Sequence, residues 1–203
     1  MKYSRSEALY NHRMAGRIRR LHIKPMNGDE QNIAAHSWGV AMILLDLFPA
    51  VSRSCLIYAL RHDVPEIVTG DVPANVKWQH PSLHHELECI EEDFLDKMSW
   101  PTESEKHGVP YLAGSENWHN ERLYIKIADR VELLFYCLEQ IYMGNLLLMD
   151  VFKNARDKLR EHLKLIDPSQ SMDVHKYVRD YSDFLAEKFS EGHPVPRDVL
   201  SIS

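Results

Sequence analysis

Apolar residues recur at helical spacing along most of this chain, and this periodicity limits its fold more than any other feature does. The pattern is clearest after Ser82, where positions i, i+4, i+7, i+11 and i+15 are Leu83, Leu87, Ile90, Phe94 and Met98. Residues at these intervals share one face of an α-helix, which can be buried against a core. Strand patterns are almost absent from the sequence. The sequence therefore predicts an all-α domain, a bundle of about six or seven helices.

Capping residues and helix breakers set the expected helix boundaries. We expect helices to begin after Ser6, Asn32, Ser52 and Ser171, and at Ser82, Trp118 and Leu146. Gly70, Pro73 and Asn75 predict a loop. The first three helices are expected to end towards Leu21, at Pro49 and near Asp63, and the last three near Met143, Ile166 and Ser190. Residues 99–117 predict a long loop, and residues 190–203 a loose tail.

Length and charge restrict the class of protein. A chain of 203 residues predicts a single domain over residues 1–203. The net charge is −6 and the longest basic stretch is 17–20, which argues against duplex nucleic acid as a partner. Three widely spaced cysteines predict reduced thiols in a cytoplasmic protein, and no apolar run is long enough to predict a membrane span.

The segment 61–77 contains several side chains that can bind a metal ion. His62 and Asp63 are adjacent, and Glu66 follows four residues after the histidine, which places it over the same face of a helical turn. Pro65 is expected to break the helix here and leave these side chains at an irregular edge. An imidazole nitrogen beside carboxylate oxygens suits a divalent transition metal.

Two more residues complete a candidate metal site. His36 lies near the start of the second predicted helix, and Asp129 lies in the middle of a long one. The neighbours of Asp129 are apolar, a setting in which an unpaired carboxylate is strongly destabilising. Two histidines and two aspartates make a mixed nitrogen and oxygen site with positions left for water, which such a site can turn into a nucleophile near neutral pH.

The order of these residues resembles a known family. His36, His62-Asp63 and Asp129 resemble the HD-domain metal-dependent phosphohydrolases. The longer pattern of Glu66, Thr69-Gly70-Asp71, Pro73 and Lys77 is similar to the bacterial 5′-deoxynucleotidases, whose neighbourhood includes the phage dATP triphosphohydrolases. The resemblance runs from about Arg20 to the helix after Asp129.

The resemblance implies a fold, a metal and a set of roles. The fold would be an HD-domain bundle, and one divalent transition metal ion (Zn²⁺, Co²⁺ or Mn²⁺) would be held by His36, His62, Asp63 and Asp129. Glu66 would handle protons or orient water, and Asp71 would contact the sugar or help to position water. The implied substrate-binding residues are Arg20, Leu21, Thr69, Lys77 and Lys126, with Leu21 standing where the family usually has tryptophan.

Several of these residues could instead have a purely structural role. Asp129 could be a structural partner of Arg122 or Arg130, and Thr69 to Asp71 could form only a turn. Lys77 and Lys126 could be ordinary surface lysines.

Two substrates compete for the proposed phosphohydrolase. We favour dATP, cleaved to deoxynucleoside and triphosphate, because Arg20-Leu21-His22-Ile23 resembles the phage triphosphohydrolases more than the bacterial monophosphatases. Arg19, His22 and the loop 99–117 could supply charge beyond the first phosphate. The alternative is a 5′-deoxynucleotidase that cleaves deoxynucleoside monophosphates, and a second alternative is a non-catalytic nucleotide sensor. The resemblance also implies a homo-oligomer, a dimer or a hexamer, for which the apolar run 146–149 offers a surface.

Overall fold

A computed structural model describes residues 2–98 and 118–189, and the predicted loop 99–117 and tail 190–203 lie outside these ranges. The α-helices of the described residues are α1 (Arg5–Ala15), α2 (Ile33–Leu47), α3 (Arg53–Ala59), α4 (Glu66–Thr69), α5 (Ala74–Gln79), α6 (Pro81–Lys97), α7 (Trp118–Tyr142), α8 (Met149–Leu163) and α9 (Pro168–Lys188). Seven of them have seven or more residues, and no strand occurs in the described ranges. The predicted all-α class is confirmed.

Two predicted caps are observed. The Asn32 side chain accepts a hydrogen bond from the Ala35 amide at the start of α2, and the Ser52 side chain accepts one from the Cys55 amide at the start of α3. Both bonds satisfy amides that have no partner within the helix.

The first helix differs from its prediction at both ends. It begins after Ser4, which forms a reciprocal capping box with Glu7, and it ends at Ala15 rather than near Leu21. The backbone after α1 pairs with the residues before α2: the Arg20 amide donates to the Gln31 carbonyl at 2.8 Å. This pairing takes residues 18–20 out of the helix and holds them beside α2.

Three other helix boundaries also differ from their predicted positions. The predicted loop around residues 70–75 follows the single turn α4 and gives way to α5, which begins at Ala74. The 146–166 segment begins with a 3₁₀ turn, Leu146–Leu148, before α8. Asp167 rather than Ser171 caps α9, with Pro168 in the first helical position, where its missing amide hydrogen has no consequence.

The main core surrounds α7, whose buried face packs against α2, α8 and α9. Residues that share this face include Ile127, Val131, Leu134, Leu138 and Ile141. A smaller apolar cluster joins α1 to α6 through Ala8, Val64, Phe94 and Met98. The turn between α3 and α4 carries His62 and Asp63 between these two clusters, opposite α2 and α7.

None of the helices in the described ranges combines the length and the apolar character that a membrane crossing requires.

Candidate metal centre and cavity

His36 is fixed by a carboxylate that the sequence analysis did not identify. Its ring is fully buried on α2, and its Nδ1 lies 2.5 Å from Oε2 of Glu132 on α7. A carboxylate accepts hydrogen bonds, so Nδ1 carries the proton and Nε2 keeps its lone pair in the neutral ring. Gln31 holds Glu132 from the other side, by a 2.6 Å hydrogen bond from Nε2 to Oε1.

His62 is oriented in the same way by the backbone. Its Nδ1 lies 2.8 Å from the carbonyl oxygen of Ala59, the last residue of α3. The carbonyl can only accept, so the proton is again on Nδ1, and Nε2 is left to bind a cation. Because α3 ends at Ala59 and the chain continues in tight turns, His62 and Asp63 project towards α2 and α7.

Nitrogen and oxygen atoms of four residues converge at this point. His36, His62 and Asp129 each place one potential ligand atom within 4.8 Å of the others. Asp63 lies against both histidines, with Oδ1 3.2 Å from Nε2 of His62 and Oδ2 3.4 Å from Nε2 of His36. The structure therefore brings together all four residues that the sequence analysis predicted as metal ligands.

The chemistry of this cluster fits a divalent transition metal. Within the described part of the chain, Nε2 of His36 and Nε2 of His62 are buried and make no hydrogen bond. Buried polar atoms rarely lack a partner, and two imidazole lone pairs beside two carboxylates provide the donor set that Zn²⁺, Co²⁺ or Mn²⁺ accepts. The residues present therefore suit the predicted ion.

The two aspartates stay ionised despite their burial. Burial alone would raise the pKa of Asp129, but in the protein without a metal the Arg130 guanidinium and the protonated form of the His36 ring hold that pKa well below its usual value. Burial opposes ionisation of Asp63 too, and His62, Arg20 and His36 together lower its pKa. Two carboxylates that keep their negative charge are suited to bind a cation.

Arg20 lies against the metal cluster. Its guanidinium forms an ion pair with Asp63, and both side chains are largely buried. The backbone pairing between residues 18–20 and 31–33 positions this arginine beside α2. Arg20 thus lies at the boundary between the ligand cluster and the cavity next to it.

Glu66 is buried at the first position of α4. In the described part of the chain its Oε2 atom has no hydrogen-bond partner. Burial raises the pKa of Glu66 to about 9, and the charges of Asp63 and Asp71 act in the same direction, against Arg20 and Lys77. This carboxyl group is therefore neutral at pH 7 in the protein without a metal, and it can hold a proton beside the cluster.

Asp71 supports the residues next to Arg20. Its Oδ2 atom accepts a 2.8 Å hydrogen bond from the Leu21 amide, and Leu21 has a φ angle of 53°. A positive φ is unfavourable for a side chain such as leucine, so this hydrogen bond helps to hold the backbone in place. Asp71 therefore lies where it can fix the direction of the Arg20-Leu21 segment.

A cavity of about 460 Å³ opens next to the metal cluster. Its size lies within the range of about 300–1,000 Å³ that is usual for small-molecule sites. The predicted site residues that line it are Arg20, Leu21, Asp63, Glu66, Asp71, Lys77 and Asp129. The opposite wall comes from α8, through Val151, Asn154 and Ala155.

Two predicted substrate-binding residues lie elsewhere. Thr69 is not among the cavity-lining residues, and its hydroxyl donates to the Gly70 carbonyl at 3.3 Å, as a residue in a turn would. Lys126 is exposed on α7 and does not line the cavity, whereas Arg130, one helical turn further, does. The predicted role of each residue in substrate binding stays a prediction.

Glu132 and His84 were not predicted for the site, and Arg130 was expected only as a possible structural partner of Asp129. Glu132 follows Asp129 by three residues, so both share one face of α7, and a buried glutamate among apolar neighbours was the available signal. Arg130 lies 3.4 Å from Asp129 and also lines the cavity, as does His84 of α6. Gly39 of α2 leaves space for the Glu132 side chain, because a Cβ atom at position 39 would lie only 2.9 Å from Cγ of Glu132.

A family model, 5′-deoxynucleotidase YfbR-like, matches residues 10–182 of this chain. The 5′-deoxynucleotidase YfbR of Salmonella typhi is 29% identical over 159 residues, which cover 73% of this chain and 77% of that protein. A 5′-deoxynucleotidase of Photorhabdus laumondii is 30% identical over 126 residues, covering 57% of this chain and 64% of its own length. That second match thus spans less than two thirds of the relative.

Solved structures share the fold. The HD phosphohydrolase DatZ of cyanophage S-2L, bound to dA and one catalytic Zn²⁺ ion, aligns over 95% of this chain and all of its own, with a TM-score of 0.60 and 20% identity. The PH0347 protein of Pyrococcus horikoshii aligns over 90% of this chain with a TM-score of 0.52 and 19% identity. The match to DatZ confirms the HD-type helical fold, and the match of the family model over most of the chain shows that this protein belongs to the YfbR-like family of HD-domain phosphohydrolases.

Proposed function

We propose that the chain, as one HD-type domain over residues 1–203, is a metal-dependent 5′-deoxynucleotidase. It would hydrolyse deoxynucleoside monophosphates to deoxynucleoside and phosphate. The family match and the names of the relatives support this substrate. They do not support the dATP triphosphohydrolase that we favoured from the sequence, which becomes the competing hypothesis.

The single observation that carries this proposal is a cavity with cationic side chains directly beside the ligand cluster. Lys77 and Arg130 line the cavity beside the ligand cluster, together with Arg20, Lys24 and His22, so cationic side chains are available there to bind phosphate oxygens. Arg19, which was expected to bind further phosphates, is 70% exposed and pairs with Glu30 at 2.7 Å. Lys126 is also outside the cavity. His22, the other residue expected to bind further phosphates, does line the cavity, so the preference for one phosphate over three rests on the family match.

His36, His62, Asp63 and Asp129 would hold the metal ion. A divalent ion bound there supplies Lewis-acid activation of water and of the phosphoryl group. Glu132 and the Ala59 carbonyl fix the protons of both histidines on Nδ1, so each Nε2 presents its lone pair. These contacts prepare the ligands before any ion binds.

The remaining residues would act on the substrate. In the hydrolysis, a water oxygen bonds to phosphorus, the bond from phosphorus to the 5′ oxygen breaks, and that oxygen takes up a proton. Glu66 lines the cavity and would orient the water or exchange a proton with it. Arg20, Lys77 and Arg130 would offset the negative charge on the phosphoryl oxygens as the transition state forms.

Two finer predictions belong to the same proposal. We retain a cytoplasmic location, which agrees with the free thiols of all three cysteines, two of them buried. We also retain a homo-oligomer as the assembly. Neither prediction is needed for the reaction.

Hydrolysis of a panel of monophosphates tests the proposed function. The protein is loaded with Mn²⁺, Co²⁺ or Zn²⁺ and offered 5′-deoxynucleotides, the matching 5′-ribonucleotides and a 3′-deoxynucleotide. We expect phosphate release from the 5′-deoxynucleotides in preference to the others. Release from none of them by protein with a bound metal would contradict the proposal and support the nucleotide sensor instead.

A further inference from the structure

The short segment between Arg20 and Lys24 connects the ligand cluster to α8. Arg20 forms an ion pair with Asp63 at the ligand cluster. Four residues later, Nζ of Lys24 lies 3.0 Å from Oδ2 of Asp150, in the first turn of α8. All four residues line the cavity. The cavity therefore extends from the predicted metal ligands at one end to α8 at the other.

Apolar side chains from three parts of the chain also line this cavity. They are Val72, Pro73 and Ala74 before α5, Leu133 of α7, and Val151 and Ala155 of α8. Pockets for small molecules are lined mainly by such side chains, with a few polar groups that fix the orientation of the ligand. A phosphate bound at the ligand cluster leaves these apolar walls to the rest of the nucleotide, whose base has two flat apolar faces.

Asn154 of α8 is the one uncharged amide or hydroxyl side chain among the described residues that line the cavity. It is exposed, and within the described part of the chain its amide has no hydrogen-bond partner. It follows Asp150 by four residues, so both lie on the same face of α8, one turn apart. Because Asp150 is already paired with Lys24, Asn154 is the polar group of this face that remains available to a ligand.

A primary amide is suited to the edge of a nucleobase. Its NH₂ group donates and its carbonyl oxygen accepts, so it can pair with an adjacent acceptor and donor of one base, as asparagine does with adenine in DNA recognition. A phosphate group instead presents acceptor oxygens, which the cations Arg20, Lys77 and Arg130 of the same cavity match. The two kinds of polar group in this cavity thus correspond to the two polar ends of a nucleotide.

We propose that Asn154 binds the base of the nucleotide, with its amide on the base edge and with Val151 and Ala155 against the base face. The inference rests on the proposed function only in placing the phosphate at the ligand cluster. It assigns base recognition to α8, a helix that carries none of the site residues predicted from the sequence.

Binding of a nucleotide with and without its base tests this assignment. Phosphonate analogues of dAMP and of deoxyribose 5-phosphate, in which a methylene group replaces the 5′ oxygen, cannot be hydrolysed and are titrated calorimetrically into the metal-loaded protein. Asn154→Leu keeps the approximate size of the side chain and removes its hydrogen bonds. We expect this variant to raise the Kd of the dAMP analogue about tenfold, in line with the loss of two neutral hydrogen bonds, and to leave that of the baseless analogue unchanged.

Asn120→Leu is the matched control, because Asn120 is an exposed asparagine on α7 that does not line the cavity. Both of its Kd values should equal those of the wild type, and circular dichroism shows whether each variant is folded. A folded Asn154→Leu variant that binds the dAMP analogue as the wild type does would overturn the proposal. An equal loss of affinity for both analogues would also overturn it, because the effect would then not involve the base.

Phosphate release from dAMP by the wild type separates this inference from the proposed function. A base-dependent effect of Asn154→Leu without any phosphate release would support the base contact and contradict the 5′-deoxynucleotidase. Phosphate release with no effect of Asn154→Leu on either Kd would support the 5′-deoxynucleotidase and overturn the base contact. Failure of the wild type to bind the dAMP analogue would overturn both.

Discussion

Glu132 of α7 holds His36 of α2 in place, with 2.5 Å between its Oε2 atom and Nδ1 of the ring. Glu132→Gln keeps the shape of this contact but removes the negative charge that favours a proton on Nδ1. We predict that metal affinity falls by about 10–100-fold, the usual effect of removing such a partner. Competition with a metal chelator measures the affinity.

Glu161→Gln is the control for this change, because Glu161 is an exposed glutamate on α8 that pairs with Lys158. Its metal affinity should equal that of the wild type. Equal affinities for Glu132→Gln and Glu161→Gln would show that the contact to His36 does not matter for the ion.

Glu66→Gln should separate stability from catalysis. Burial raises the pKa of Glu66 to about 9, so the folded protein without metal binds a proton that the unfolded chain releases near its ordinary pKa. The stabilising effect of this proton is fully present below the unfolded pKa and is lost as the pH rises through about 9. Glutamine does not ionise, and its metal-free variant should gain at least about 2 °C in Tm over the wild type at alkaline pH.

The same variant should lose most of its rate of hydrolysis and keep its metal. Thermal unfolding at acid and alkaline pH, with activity and metal content measured on the same samples, checks both statements. A Tm difference that does not grow with pH would contradict the raised pKa, and a full hydrolysis rate would remove Glu66 from the mechanism.

Asp71 should act mainly through the backbone of Leu21, because Oδ2 accepts the hydrogen bond from its amide. Asn can still accept that bond through its amide oxygen, whereas Ala cannot. We predict that Asp71→Ala raises KM by about tenfold, in line with the loss of one hydrogen bond to a charged group, and that Asp71→Asn stays closer to the wild type. Equal effects of both variants in steady-state kinetics would favour direct contact of the Asp71 charge with substrate.

Two lysines provide a matched pair for the phosphate site. Lys77 lines the cavity and Lys126 does not, although the family resemblance assigned both to phosphate oxygens. We predict that Lys77→Met raises KM for a deoxynucleoside monophosphate by about tenfold or more, since hydrogen bonds to charged groups contribute about 1.5–3 kcal/mol. Lys126→Met should change KM by less than about twofold by the same reasoning. The reverse order of effects would place the phosphate on the α7 side of the site.

The ligand cluster could be predicted from sequence because its residue types and order are specific. The sequence pattern predicts His36, His62, Asp63 and Asp129 as ligands, and these four residues lie together in the structure. The helix periodicity gave the fold class for a similar reason, since burial of one face imposes the spacing of apolar residues. Sequence patterns were therefore sufficient to predict the ligand cluster and the fold class.

Contacts between distant segments were not predictable in this way. The end of α1 is followed by the pairing of Arg20 with Gln31, a contact between distant segments, although Gly16 directly after Ala15 was a local signal for the helix end. Glu132 is recognised as a partner of His36 only when α2 and α7 are packed together. Lys126 and Arg130 differ by one turn on α7, and only Arg130 lines the cavity, to which α8 also contributes residues.

The central claim is that the protein removes one phosphate from a deoxynucleoside monophosphate. The most direct test offers dAMP and dATP separately to the protein loaded with Mn²⁺, Co²⁺ or Zn²⁺ and resolves phosphate from triphosphate among the products. We predict phosphate and deoxyadenosine from dAMP, with dATP left intact. Triphosphate from dATP, with dAMP left intact, would contradict the claim and identify a triphosphohydrolase.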